Sequence, residues 1–300
     1  MKKSNLPKIW RLLKKIFLWV FILHIGWFII FLIQKFSSED FPIANLKEKV
    51  LIVCGSLLIL GSVYYLWLRK VSIIKRGAII IREIFFVCYI GAFLYLVLGM
   101  VFNPPITLTQ LSNIVQGYGL KRDYVSYNNM GPNIKLAVMS SEDQNYPDHD
   151  GFDLKAIKLA IKYNNWHPNK RPRGASTISQ QTAKNVFLWQ GGGFFKKGLE
   201  VFFTFSIEKL WTKKTILERY LNIAEMGKGI FGIQAAAHAY FGKDAKDLTR
   251  MEAAQIAACL PNPKRLTVKP LSNYVASRAN AIVVQMGYLE GDPDVQDLIK

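Results

Sequence analysis

Two stretches in the second half of this 300-residue chain gather side chains able to do chemistry. In EDQNYPDHDG (142–151), Glu142, Asp143, Asp148, His149 and Asp150 crowd into nine residues just ahead of a helical pattern. A positioned carboxylate can take a proton from a poor nucleophile, and an imidazole can orient one. Part of this acidity has a plainer use, because Asp153 stands where it would cap a helix beginning at Leu154. Glu142 and Asp143 lie too far upstream for that and need another reason. In RGASTISQQTAKN (173–185), Arg173 precedes Ser176 and Thr177 at a helix start, Gln180 completes a capping box with Thr177, and Gln181 and Lys184 follow. Unpaired N–H groups at such a start favour phosphate. The segment reads equally well as a capped helix with a solvated lysine.

A third stretch, KKGLE (196–200), follows Gly191, Gly192 and Gly193. Four-residue spacing puts Lys196 and Glu200 on one helix face, with Lys197 beside them. Val186, Phe187, Leu188, Trp189, Phe194 and Phe195 flank this glycine hinge, too much apolar surface for a loop facing water. The segment is expected to enter a bilayer or grip a lipid. Other patterns lead nowhere. Gly227, Gly229 and Gly232 spell G-x-G-x-x-G without the preceding strand a dinucleotide fold requires. Ser72 and Lys75 spell S-x-x-K with no K-T-G downstream. His149, His167 and His238 are too dispersed for a zinc set, and no metal ligands are assigned. Three cysteines, Cys54, Cys88 and Cys259, build no disulfide framework.

The elements that must position these residues are mostly helical. Leu154, Ile157 and Ile161 recur at helical spacing, as do Leu199, Phe202, Phe203, Ile207 and Leu210, and then Ile216, Tyr220 and Ile223. Thr249 with Glu252, and Thr215 with Glu218, fit capping boxes. Alternating strand patterns are scarce. Residues 135–300 are therefore expected to form one α-helical domain. Asn103, Pro104 and Pro105 end what precedes it, and 103–134 reads as a polar, turn-rich linker.

The first 102 residues belong to a different solvent. Mean hydropathy over the whole chain is +0.15, and 51% of its residues are hydrophobic, which excludes a disordered chain. Residues 16–33, 50–68 and 84–102 run 18, 19 and 19 positions without a charge, so each is expected to span a membrane. No cleavage signal follows the first, which is expected to stay attached. Within it, His24 reads as a neutral imidazole bonded to a neighbouring helix rather than a proton relay. Lys2, Lys3, Lys8, Arg11, Lys14 and Lys15 precede the first span, the 34–49 loop is neutral, and the 69–83 loop is again basic. The basic loops predict a cytoplasmic N-terminus and place everything after residue 102 outside, across an inner, cytoplasmic membrane. Of the net charge of +18, residues 1–102 contribute 14 basic and 4 acidic side chains. Most of the excess is thus topology, and nucleic acid is not an expected partner.

Taken in order, EDQNYPDHDG, RGASTISQQTAKN, KKGLE, KKTILERYLNIAEMGKGIFGIQAAAHAYFG (213–242) and LTRMEAAQIAACLPNP (248–263) resemble the peptidoglycan glycosyltransferases of family 51, the lipid II polymerases. The ending resembles the monofunctional biosynthetic transglycosylases. The resemblance implies a lysozyme-like helical glycosyltransferase domain, so that with the three membrane helices read from the apolar runs the chain is expected to be mainly α; the family commonly carries one anchoring helix, and the three here depart from it. It implies that Glu142 is the catalytic base and Glu200 the second glutamate. By the same correspondence, Lys184, Lys196 and Lys197 contact pyrophosphate and sugar, with Arg173, Ser176, Thr177 and Gln181 nearby, while Asp143 and His149 orient Glu142. The reaction implied is inverting β-1,4 polymerisation of lipid II with release of undecaprenyl pyrophosphate. No cofactor is required, although a divalent cation, Mg or Mn, could ride on the pyrophosphate. Expected partners are lipid II, the growing lipid-linked glycan, the membrane and other cell-wall synthesis proteins. Tyr146 stands where the family usually has Phe, so its hydroxyl needs a partner if buried. Asn222 is expected to be structural, and Glu218, Glu225 and Glu252 architectural. The rival readings are a lysozyme-like hydrolase, which has no need of the lysines, and an inactive scaffold, which has no need of either glutamate.

Overall fold

The computed structural model describes residues 6–36, 46–170, 172–189 and 191–300. Lys2, Lys3 and most of the 34–49 loop used for the orientation argument lie outside them. The chain divides into two compact units, Met1–Tyr95 and Leu96–Lys300.

The first unit is built from α1 (Leu6–Phe36), α2 (Leu46–Leu66) and most of α3 (Ser72–Leu98). Three runs are long and apolar enough to cross a membrane: Lys8–Lys35 within α1, Leu51–Lys70 from α2 into the short 3-10 turn after it, and Ser72–Leu98, the whole of α3. The third run starts earlier than the sequence reading placed it. Lys75, Arg76, Arg82 and Glu83, read as loop, lie on α3, where Lys75 and Arg76 fall in the first turns and Glu83 is paired with Lys14 of α1 and with Arg82. Aromatic rings join α1 to α3: Phe21 meets Tyr89 edge-on at 4.9 Å and Phe17 meets Phe93 at 6.1 Å. His24 Nδ1 lies 3.3 Å from the Tyr89 hydroxyl, the inter-helix bond expected of it. Leu23, Leu58 and Ile73 leave about three-quarters of their surfaces uncovered, as lipid-facing side chains do.

The end of α3 opens the second unit. It stops at Leu98, before Asn103–Pro105, and its last carbonyls are taken by side chains from later in the chain. Trp211 Nε1 donates to Leu96 O at 2.9 Å and Arg219 Nε to Gly99 O at 3.0 Å. The expected linker 103–134 carries α4 (Leu108–Val115), opened by a Thr107–Gln110 capping box, and β1 (Lys121–Arg122). Then come α5 (Pro132–Glu142), α6 (Leu154–Trp166), α7 (Ile178–Phe187), α8 (Phe194–Leu210), α9 (Lys213–Ile223), β2 (Glu225–Gly227), β3 (Ile230–Phe231), α10 (Ile233–Phe241), α11 (Arg250–Cys259), α12 (Asn273–Leu289) and α13 (Pro293–Ile299).

Helix α5 is the axis of this unit. Ile134, Leu136, Ala137, Val138 and Met139 are all buried, and α11, α12 and α13 pack around it. Alanines 253, 254, 257 and 258 on α11 are buried in the same core, where their small side chains permit close helix approach. On the other side, α7 packs against α8 and α9. A small sheet of order β1-β3-β2 ties the linker to this body, with Lys121 opposite Ile230 in parallel and Gly227 opposite Ile230 in antiparallel register. Gly229 turns between β2 and β3 at φ +71°, and a Cβ there would lie 2.2 Å from Tyr118 O. Of the G-x-G-x-x-G glycines, Gly227 and Gly229 therefore serve a hairpin, and Gly232 opens α10 at φ +85°. At α9 the cap is Thr212, which accepts from Thr215 N. This corrects the expected Thr215–Glu218 box, since Thr215 already lies inside the helix.

Candidate active site

Glu142 is the last helical residue of α5. Asp143 leaves the helix at φ −161° and ψ 80°, and this change of direction sends the two carboxylates to different partners. Glu142 Oε2 accepts from Gln181 Nε2 at 2.8 Å, and Gln181 Oε1 accepts from the buried Tyr220 hydroxyl at 3.2 Å. The amide is thereby fixed in one orientation. Burial pushes the Glu142 carboxyl up, opposed by the Gln181 bond and by the charges of Arg278 and Lys184.

Asp143 faces inward. Its Oδ2 accepts the backbone N–H of Ile178, the first residue of α7, at 2.9 Å, and its Oδ1 lies 2.9 Å from His149 Nε2. Since His149 Nδ1 accepts from Gly151 N at 3.1 Å, the ring proton of neutral His149 belongs on Nε2, donated to Asp143. Thr177 closes the same knot: its hydroxyl donates to Gly151 O at 2.7 Å and accepts from Gln180 N at 3.1 Å in the expected capping box. Asp143 and His149, expected to orient Glu142, and Thr177, expected near the diphosphate, thus fasten the 142–153 loop to the start of α7, next to Glu142. Tyr146 is fully buried, and its hydroxyl finds the expected partner in Lys213 O at 2.8 Å.

Two clefts meet along α7. The larger, about 610 Å³, is lined among others by Glu142, Asp143, Asn145, Ser176, Gln181 and Lys184. The smaller, about 420 Å³, is lined by residues including Asn113, Gln181, Lys184, Asn185, Tyr220 and Glu225. Gln181, Lys184, Leu260 and Pro261 wall both. Burial pushes the Lys184 ammonium down; the neighbouring charges of Glu200 and Glu142 act against burial, and those of Lys196 and Lys197 act with it. One lysine thus feels every charged residue expected at the catalytic and diphosphate positions.

The remaining candidates divide. Ser176 is exposed on the wall of the larger cleft. Glu200 is buried on α8, and its ion pair is with Lys197, at 2.5 Å, three residues away. Lys196, expected as the partner, is itself buried and packs its stem against Gly192, where φ is +108° and a Cβ would lie 2.8 Å from Lys196 Cδ. Glu200, Lys196 and Lys197 line neither cleft. Arg173 also stands apart, its guanidinium over the Tyr163 ring at 4.9 Å. Asn222 is structural, exchanging bonds of 2.9 and 3.0 Å with the backbone of Val125. Glu225, expected as architectural, instead walls the smaller cleft. Its position gave no local signal. Among the described residues no group of three or more His, Cys, Asp or Glu is placed to hold a metal ion.

Against known proteins, a family model described as Transglycosylase matches residues 109–287. Proteins named biosynthetic peptidoglycan transglycosylase from Escherichia coli (strain K12 / DH10B) and Shigella boydii serotype 4 (strain Sb227) are each 48% identical over 209 residues, covering 69% of this chain and 86% of theirs.

Proposed function

The chain belongs to the transglycosylase family, a peptidoglycan glycosyltransferase with membrane-anchoring helices, and from that premise we propose that it polymerises lipid II. Glu142 takes the proton of the acceptor 4-hydroxyl as that oxygen attacks the anomeric carbon of the lipid-linked growing chain. The new bond forms on the face opposite the diphosphate. The old C–O bond breaks with its electron pair on phosphate, giving a β-1,4 link and undecaprenyl pyrophosphate.

Each residue's part follows from its surroundings. Burial makes Glu142 a stronger base, and the Gln181 bond to Oε2 directs Oε1 to the hydroxyl. Lys184, with the charges of Lys196 and Lys197 nearby, offsets the negative charge growing on the diphosphate. A divalent ion, where present, enters on the diphosphate. Three candidate spans, with the basic stretches before the first and after the second, support our reading that this chemistry takes place on the outer face of the inner membrane, beside lipid-linked substrate and other wall-building proteins.

The observation that carries this reading is that Glu142 and Lys184 wall a single cleft. The test is the full chain in liposomes with labelled lipid II. Long glycan should appear, and Glu142→Gln should abolish it without changing thermal unfolding. Absence of polymer from the parent chain, or release of short muropeptides from preformed wall, overturns the reading in favour of a scaffold or a hydrolase.

A further inference from the structure

The turn that joins the second and third spans carries charge that the chain itself does not answer. Helix α2 ends at Leu66 and α3 begins at Ser72, with a single 3-10 turn, Leu68–Lys70, between them. Arg69, Lys70, Lys75 and Arg76 therefore fall within eight residues, and all four are exposed. The sequence has no Asp or Glu between Glu48 and Glu83, and Glu83 is taken by Lys14 and Arg82. Among the described residues the four cations thus have no carboxylate partner. Like charges held this close repel one another, and an anion from outside relieves the repulsion.

Two features decide which anion. Tyr65 and Trp67 flank the turn with most of their surfaces uncovered, and the Arg69 guanidinium lies over the Tyr65 ring at 3.9 Å. Amphipathic rings of this kind sit at the level of lipid headgroups, so the cations share the depth of lipid phosphates. Beside the turn, Leu58, Ile59, Ser62, Val63, Leu66 and Trp67 line an apolar groove of about 340 Å³. Trp67 adjoins the basic residues in the chain, so the charged and apolar parts of the patch are continuous. A free inorganic anion would use the cations alone. An anionic phospholipid uses both parts, because its phosphate and its acyl chain are covalently joined.

We propose that the α2–α3 turn is a binding site for an anionic phospholipid, its phosphate held by Arg69, Lys70, Lys75 and Arg76 and one acyl chain seated in the adjoining groove. Under the topology proposed above, the lipid belongs to the cytoplasmic leaflet. The site lies wholly within the membrane unit and does not rest on the reaction assigned to Glu142.

The test uses the full chain in detergent with dioleoylphosphatidylglycerol or dioleoylphosphatidylcholine, and counts bound lipid by native mass spectrometry. The parent chain should hold phosphatidylglycerol the more tightly. Arg69→Gln with Lys70→Gln should weaken that binding about twentyfold, the scale of two basic residues beside an anionic lipid. Lys75 and Arg76 stay in this variant to keep the spans oriented. Lys8→Gln with Lys15→Gln removes the same charge from the start of α1 and should change binding less than about twofold. Ser62→Phe fills the groove without altering charge and should weaken binding severalfold; it decides the matter if the turn variant fails to fold. Equal retention of the two lipids by the parent chain overturns the proposal, as do equal losses in the α1 and turn variants or parental binding by Ser62→Phe. Displacement of the lipid by millimolar inorganic phosphate overturns it too, since the anion alone would then be the ligand.

Discussion

Gln181 stands 2.8 Å from Glu142, its amide nitrogen donating to one carboxylate oxygen while its own oxygen accepts from Tyr220. A donor so placed favours the ionised carboxylate, and burial opposes it. In the proposed reaction the two effects set the pH at which Glu142 becomes available as a base.

Gln181→Leu removes the donor and leaves the burial, so the Glu142 carboxyl should rise further. A base works only when ionised, and the acid limb of the kcat/KM profile should therefore move to higher pH. The measurement is lipid II turnover from pH 5 to 9; an unmoved acid limb would show that Gln181 does not tune Glu142.

Lys184→Met should lower kcat/KM by about 10²–10³, the scale for losing one preorganised charge from a transition state. Loss of its positive charge should also raise the Glu142 carboxyl, so the deficit should be largest at low pH. Equal deficits across the profile would confine Lys184 to the leaving group.

Asp143→Asn leaves a neutral amide where one carboxylate now serves both Ile178 N–H and the His149 ring. Stability should fall by about 1–3 kcal/mol, read as a lower midpoint in denaturant. A midpoint equal to that of the parent would mean that the knot between the 142–153 loop and α7 is held by Thr177 alone.

Lys135 is buried on α5, its amine 3.7 Å from the Tyr127 ring centre and 3.3 Å from Ile299 O. Burial, helped by the charge of Lys214, pushes it down from 10.5 to about 8. Between those two values the unfolded chain holds the proton and the folded chain has released it. Stability should therefore rise with pH across that window, and below it the full cost of the buried charge is present. Lys135→Met should flatten the slope, measured by denaturant unfolding from pH 8 to 10.5.

What could be read from the sequence was what local chemistry decides. Thr177 and Thr249 cap their helices as expected because cap and partner lie three residues apart and nothing competes. Thr215 failed because Thr212 offers the same hydroxyl one turn earlier. Glu142 with Lys184 was legible through ordered motifs. The choice of Lys197 over Lys196 for Glu200 was not, since both are helical neighbours and burial of the Lys196 stem against Gly192 decides between them. Asn113 and Glu225 are 112 positions apart, and only the packed body brings them together.

The wall shared by the two clefts has a thermodynamic meaning. Gln181, Lys184, Leu260 and Pro261 each present a surface to both compartments, so a ligand that shifts any of them on one side alters the affinity of the other. Such coupling is reciprocal. Saturation of the two clefts should then not be independent, and the apparent affinity measured in either should depend on how full its neighbour is.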